Sequence, residues 1–321
     1  MRAFAFDIDG VLLRGGRLLP GATKTLEKLN SRRVPWIVLT NGGGTLERDR
    51  CAELSERLGV KVDERQFLQS HTPFRDFVGA NNRVLAIGGK QDSVRTVAET
   101  YGFKDVVMTR DITGSVPDVF PFRGLTGLDA RTNSRKIDPK KSFDAIFVFH
   151  DSYDISTDSQ IVIDLLLSQN GVLGTRREPS SYANQPSIPI YFSNGDLQWA
   201  TDYTLPRFGQ GAFIKTVLSL YEAVTEGQKL THTVIGKPTI LTYKYADKLL
   251  RQWAGVIGAP KPESVFMIGD NQYSDIKGAN AFGWQSVLVR SGVYKDGDDL
   301  FTNPTYIEDD VYKAVSKALG D

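Results

Sequence analysis

Phe6-Asp7-Ile8-Asp9-Gly10-Val11 sets two carboxylates two residues apart at the end of an apolar stretch, Ala3 to Ile8. As a strand, that stretch puts both acids on one face. Two like charges held together need a positive partner. A hard cation with oxygen ligands, such as Mg²⁺, meets that need. Four letters also fit a solvated Asp-Gly turn, so the rest of the chain must decide.

Three further segments follow the same plan. Val34 to Leu39 is apolar and ends in Thr40-Asn41-Gly42-Gly43-Gly44. Thr233 to Gly236 ends in Lys237-Pro238. Val265 to Ile268 ends in Gly269-Asp270-Asn271, with Asp275 close behind. Each places polar or charged groups just past a predicted strand. In a parallel α/β sheet such ends share one edge, and ligands bind there. A hydroxyl and amide, a lysine and a second pair of acids would then join Asp7 and Asp9. One such ending is common, whereas four in this order are specific.

This set resembles the haloacid dehalogenase (HAD) superfamily of aspartate-nucleophile phosphotransferases. Its four motifs match Asp7/Asp9, Thr40-Asn41, Lys237 and Asp270/Asp275. Asp7-Ile-Asp-Gly-Val, Thr40-Asn-Gly-Gly and Ile235-Gly-Lys-Pro are similar to subfamily IIA. Ser70-His-Thr-Pro, Pro206-Arg-Phe-Gly-Gln-Gly and Gly236-Lys-Pro-Thr-Ile-Leu-Thr-Tyr-Lys-Tyr-Ala resemble the cat-eye-syndrome-critical-region protein 5-like branch. The likeness runs from Phe4 to Val293. It implies an α/β fold, a HAD-type Rossmann-like parallel-sheet core with an inserted type-II (C2a-like) α/β cap domain. The expected core is residues 1–80 and 231–321, and the expected cap is residues 81–230.

The resemblance also implies a phosphatase. Phosphoryl transfer needs an in-line nucleophile and neutralised phosphoryl oxygens. Asp7 is the expected nucleophile, forming an aspartyl-phosphate, and Asp9 the general acid and base. Mg²⁺ would be held by the Asp7 carboxylate, the Asp9 backbone carbonyl and Asp270, with Asp275 inside or just outside its ligand shell. The Thr40 hydroxyl and the N–H groups of Asn41 and Gly42 would bind phosphoryl oxygens. Lys237 would neutralise Asp7 and the phosphate as a compact cation. Asn194, Asp196 and Arg207 flank the return to the core and are the candidates for substrate selection; Arg207 could grip a second anion. The expected substrate is a small phosphorylated metabolite, because a large cap obstructs a phosphoprotein. A phosphomutase shares these acids, and so would a binding or regulatory protein that keeps the fold without useful turnover. Asp9 argues against a dehalogenase.

Composition agrees with this reading. A chain of 321 residues has room for two domains. Its 40% apolar and 24% charged residues are ordinary for a globular protein. A net charge of +1 provides no global field to draw in nucleic acid or an anionic membrane. A single cysteine, Cys51, excludes an internal disulfide and suits a reducing compartment. His71, His150 and His232 lack zinc-ligand spacing. The most apolar candidate for a membrane span, Ile161 to Leu167, is short and contains Asp164. The first strand is expected almost at once, so the start of this sequence reads as neither a signal nor a transit peptide. The expected location is intracellular: cytoplasmic, or mitochondrial if a presequence is missing from this chain. The sequence leaves a homodimer open.

The elements that position these residues alternate along the chain. Helices are expected at Gly21 to Asn30, Leu46 to Leu58 (with Thr45 as N-cap and Gly59 as stop), Thr157 to Leu167, Gly211 to Val224, Leu241 to Trp253, Asp275 to Phe282 and Asp309 to Leu319. Cap strands are expected at Val84 to Ile87, Val106 to Met108, Ala145 to Phe149 and Ile188 to Phe192. Asp129 to Ser142 is a basic loop, with Arg131, Arg135, Lys136, Lys140 and Lys141. It reads as a solvated segment, the alternative being a surface for an anionic substrate or headgroup.

Overall fold

The structure is a computed structural model that describes residues 1–122, 134–183, 185–199, 203, 205 and 207–321. In chain order, β1 (Arg2–Phe6) leads to a small hairpin, β2 (Leu13–Arg14) and β3 (Arg17–Leu18). Then come α1 (Ala22–Ser31), β4 (Trp36–Leu39), α2 (Glu47–Leu58) and β5 (Phe67–Leu68). A second series follows: β6 (Arg83–Ile87), α3 (Ser93–Tyr101), β7 (Asp105–Met108), α4 (Thr109–Ser115), β8 (Ala145–Val148), α5 (Ile155–Leu166) and β9 (Ile190–Phe192). It continues with β10 (Gln198–Trp199), β11 (Arg207–Phe208), α6 (Gln210–Val224) and β12 (Thr233–Val234). The chain closes with α7 (Ile240–Val256), β13 (Ser264–Gly269), α8 (Lys277–Phe282), β14 (Gln285–Val289), β15 (Tyr306–Glu308) and α9 (Val311–Leu319).

Two parallel sheets organise these elements. The first has six strands in the order β15-β14-β13-β1-β4-β5. The second has five, β12-β9-β8-β6-β7. It is made entirely of chain lying between β5 and β13. Alternation along β1 splits its side chains between two cores. Phe4 and Phe6 pack with Leu26, Leu54 and Val315 on one face, while Ala3 and Ala5 pack with Tyr243, Ala246 and Leu250 on the other. The strand is therefore buried on both sides, as its unbroken apolar run requires.

Three expectations need correction. The strand before Lys237 was expected beside the catalytic acids in the first sheet. β12 instead pairs with β9 at the edge of the second sheet, so the second sheet extends past residue 230. Its two residues make too short a run for pattern to choose between sheets. The N-cap of α2 is Leu46 and no side chain caps it, so Thr45 is not the cap; Gly59 does close the helix with φ 65°. Residues 272–276 form a π-turn before α8, rather than a helix beginning at Asp275.

Part of the basic loop, including Arg131, lies outside the described residues. Elsewhere in it, acids hold two of the charges: Arg135 pairs with Glu99 and Lys141 with Asp105. No helix among the described residues is long and apolar enough to cross a membrane.

Candidate active site

The ends of β1, β4 and β13 meet the ends of β8, β9 and β12 across a cleft of about 970 Å³. The Asp7 N–H donates to the Ile268 carbonyl at 3.0 Å, fixing this acid where β1 leaves the sheet. Lys237 Nζ lies 2.8 Å from Asp7 Oδ1 and 2.6 Å from Asp275 Oδ1. Only 2% of Lys237 is exposed. One oxygen from each of Asp7, Asp270 and Asp275 comes within 4.8 Å of the others.

Glycines make room for this cluster. A Cβ on Gly292 would lie 1.9 Å from Asp270 Oδ2, and one on Gly10 would lie 2.2 Å from the same atom. Gly10 also has φ 82°, a turn conformation that favours glycine. The Val293 N–H donates to Asp270 Oδ2 at 2.8 Å. The Asn271 N–H donates to Asp275 Oδ2 at 3.1 Å.

Three acids share one ammonium, so negative charge is in excess. Burial would lower the Lys237 pKa, but Asp275 and Asp7 outweigh it and hold the amine above its usual range. Burial, then the Asp7 and Asp275 charges, raises Asp270 well above the carboxylate range. Burial also raises Asp275 against the pull of Lys237. The lysine thus stays charged, and the surplus falls on the carboxyls. An all-oxygen, buried, net-negative donor set fits a hard divalent cation.

Asp9 meets solvent in the cleft yet is surrounded by protein on most sides. Burial, then the Asp7 charge, raises its pKa. A carboxyl whose proton is held more firmly than usual suits proton transfer.

Thr40 and Gly42 line the cleft, and the Gly42 N–H donates to Thr40 Oγ1 at 3.0 Å. Asn41 lines the cleft as well. Its side chain spans the two sheets, accepting from the Lys237 N–H at 2.7 Å and donating to the Lys237 carbonyl at 2.9 Å. It also donates to Asp196 Oδ2 at 2.9 Å. Asn194 Nδ2 donates to the Asn41 carbonyl at 3.3 Å, and Asn194 Oδ1 accepts from the Asp196 N–H at 2.8 Å. Asn41, Asn194 and Asp196 thus brace the lysine-bearing turn against the glycine loop. Burial raises the Asp196 pKa, with the Asn41 hydrogen bond opposing it.

Arg207 does not join them. It lies on the exposed hairpin β10–β11, paired opposite Trp199, with its guanidinium 4.5 Å from the Tyr203 ring centre. It is not among the residues that line the cleft.

Several cleft residues were not anticipated. His150 and Asp151 follow β8 and face the cleft, as does Tyr153. The rule used on the first sheet, polar groups just after a buried strand, also marks them. Arg14 and Arg17 reach the cleft from the β2–β3 hairpin. The Gly15-Gly16 pair between them, with φ 54° and 75°, was its signal.

A haloacid dehalogenase-like hydrolase profile matches residues 4–104, and a second, HAD-hydrolase-like profile matches residues 234–314. A mitochondrial hydrolase of Saccharomyces cerevisiae is 47% identical over 99% of this chain and 95% of that protein. The chain belongs to the haloacid dehalogenase-like hydrolases. In Schizosaccharomyces pombe, a cardiolipin synthase (CMP-forming)/mitochondrial hydrolase fusion protein is 43% identical over 98% of this chain and 53% of its own length. The crystal structure of a 4-nitrophenylphosphatase from Thermotoga maritima shares the fold, with a TM-score of 0.65 and 18% identity over 98% of this chain and 96% of that one. The six-stranded body is accordingly the HAD core and the five-stranded body its cap.

Proposed function

We propose that this HAD hydrolase is a Mg²⁺-dependent phosphatase acting on a small phosphorylated metabolite. The observation that carries the reading is Lys237 seated between Asp7 and Asp275, with Asp270 beside them and Asp9 in the open cleft.

Asp7 is the nucleophile. Lys237 at 2.8 Å pairs with it and screens it from the incoming phosphate dianion. Attack on phosphorus forms the Asp7–phosphate bond and breaks the bond to the leaving oxygen. Asp9 gives its proton to that oxygen, then takes one from the water that hydrolyses the aspartyl-phosphate. Thr40 and the glycine-loop amides are the phosphoryl-binding groups. Asp7, Asp270 and the Asp9 carbonyl would hold Mg²⁺, with Asp275 ordering the turn behind them. The ion, when bound, supplies positive charge that offsets the carboxylates and the phosphoryl oxygens.

The cap closes the cleft above the acids, which supports a substrate small enough to fit within it. The 47% identical yeast protein, by its name, supports a mitochondrial location; fractionation of cells carrying the tagged natural protein tests this.

A screen of phosphorylated metabolites with Mg²⁺ tests the activity. Asp7→Asn should abolish turnover with the fold intact, and Asp9→Asn should slow it by about 10²–10⁴-fold. Turnover by Asp7→Asn at the unmutated rate would remove the covalent route.

A further inference from the structure

Two buried ring nitrogens near the glycine loop lack hydrogen-bond partners among the described residues, His71 Nε2 and His150 Nδ1. Both rings pack on that loop. A Cβ on Gly43 would lie 2.6 Å from His71 Cδ2, 3.2 Å from its Nε2 and 3.0 Å from Ser70 Oγ. A Cβ on Gly44 would lie 2.6 Å from His150 Cδ2. Glycine lets the backbone rest directly on both imidazoles. The segment carrying His71 also grips the loop at two points. The Ser70 N–H donates to the Gly42 carbonyl at 3.2 Å, and Gln69 Nε2 donates to the Thr45 carbonyl at 3.0 Å.

His71 is oriented from the cap. Its Nδ1 lies 2.8 Å from the hydroxyl of Tyr101, the last residue of the cap helix α3. That hydroxyl donates to Glu47, the first residue of α2 in the core. Glu47 also accepts from Thr72 Oγ1 at 2.9 Å and pairs with Arg75 Nη2 at 3.1 Å. Burial would raise its pKa, but His71, Tyr101 and Arg75 together bring it below the usual value. An ionised carboxylate only accepts, so the single phenol proton goes to Glu47. His71 Nδ1 must then be the donor to the phenol oxygen. A neutral ring bonded this way keeps its hydrogen on Nδ1 and leaves Nε2 a bare lone pair. Burial holds the ring neutral, with a pKa lowered to about 4. A buried acceptor with no donor is costly, and the hydroxyl of Ser70 borders the same small space beside Gly43.

We propose that His71 is a positioning residue for the phosphate loop: Tyr101 of the cap sets its tautomer, and Nε2 accepts from the Ser70 hydroxyl as a phosphoryl group seats on the loop. Ser70, already bonded to Gly42, then holds the glycine backbone in place. One phenol in the cap thereby reaches the phosphate site without touching substrate. Only the kinetic arm of the test rests on the phosphatase reading.

The test compares the full-length protein with His71→Asn and Tyr101→Phe. Asparagine retains a donor near Nδ1 and loses Nε2, whereas phenylalanine removes only the hydroxyl. With Mg²⁺ and 4-nitrophenyl phosphate, both variants should raise KM and the inhibition constant of orthophosphate by about tenfold, with a smaller change in kcat. The double variant should be no worse than the weaker single one. Amide exchange across residues 42–44 should quicken in both variants when the protein is saturated with orthophosphate. A merely structural role would lower the melting temperature and leave KM, orthophosphate inhibition and exchange of the folded protein unchanged, and that result overturns the proposal. An unmutated protein without turnover would refute the phosphatase reading alone, and loop exchange would still decide the role of His71.

Discussion

Lys237→Met isolates what the buried ammonium contributes. Methionine keeps the length and apolar bulk of the stem and removes the charge. The Asn41 contacts to residue 237 are to its backbone, so the turn retains its brace. At 2.8 and 2.6 Å, each ion pair is worth about 6 kcal/mol in gross Coulomb terms at an effective dielectric of about 20. Removing the ammonium from water cancels much of that. The net cost of leaving buried carboxylates without their partner is about 3–5 kcal/mol. Urea unfolding in EDTA should therefore show Lys237→Met destabilised by about 4 kcal/mol. In Mg²⁺ the loss should shrink, because the ion restores positive charge among Asp7, Asp270 and Asp275. Turnover should be lost in both conditions. An equal stability loss with and without Mg²⁺ would assign the cost to packing and refute the electrostatic reasoning. A loss below about 1 kcal/mol in EDTA would refute it as well.

Gly292→Ala should weaken Mg²⁺ activation by about tenfold or more, since its Cβ would fall 1.9 Å from Asp270 Oδ2; the Mg²⁺ concentration for half-maximal rate reports this. Asp158 tests pH dependence away from the site. Burial in α5 raises its carboxyl to about 6 from 3.8, so its contribution to stability is full below pH 3.8 and lost as pH rises through about 6. Asp158→Asn should therefore be the more stable protein above pH 7, by up to about 3 kcal/mol, and the gap should vanish near pH 4 in urea titrations. Arg207→Ala should leave kcat/KM within about twofold on any substrate, because Arg207 lies outside the cleft lining; a selective loss on the preferred substrate would return it to the site.

The acids were legible because they follow the buried strands β1 and β13, and strand periodicity decides which way they face. What escaped reading was decided by contacts between distant segments. Asn41 reads as a backbone phosphate donor from its place after β4, but nothing in that place says that its side chain is used on Lys237 and Asp196, far away in sequence. Thr233–Val234 is too short for pattern to say which sheet it joins. His150 and Asp151 carry the same signal as Asp7 and Asp9, but His150 packs on Gly44 of the other body. His71 could not be placed at all without Tyr101 and Glu47, since its role is set by where one phenol proton goes.

The edge position of β12 in the cap sheet bears on how such an enzyme could be rebuilt or inherited. The lysine that pairs with Asp7 is delivered by the last strand of the cap, and its backbone is latched to the core by Asn41. The cap is therefore no detachable lid. Excising it at its two crossing points would take away the anchor that aims the lysine, along with the cover over the cleft. A transplanted cap would function only if its final strand ended in the same register, with its own partner for residue 41. Specificity and chemistry are welded at this seam, and sequence change in the cap is constrained most tightly at its exit.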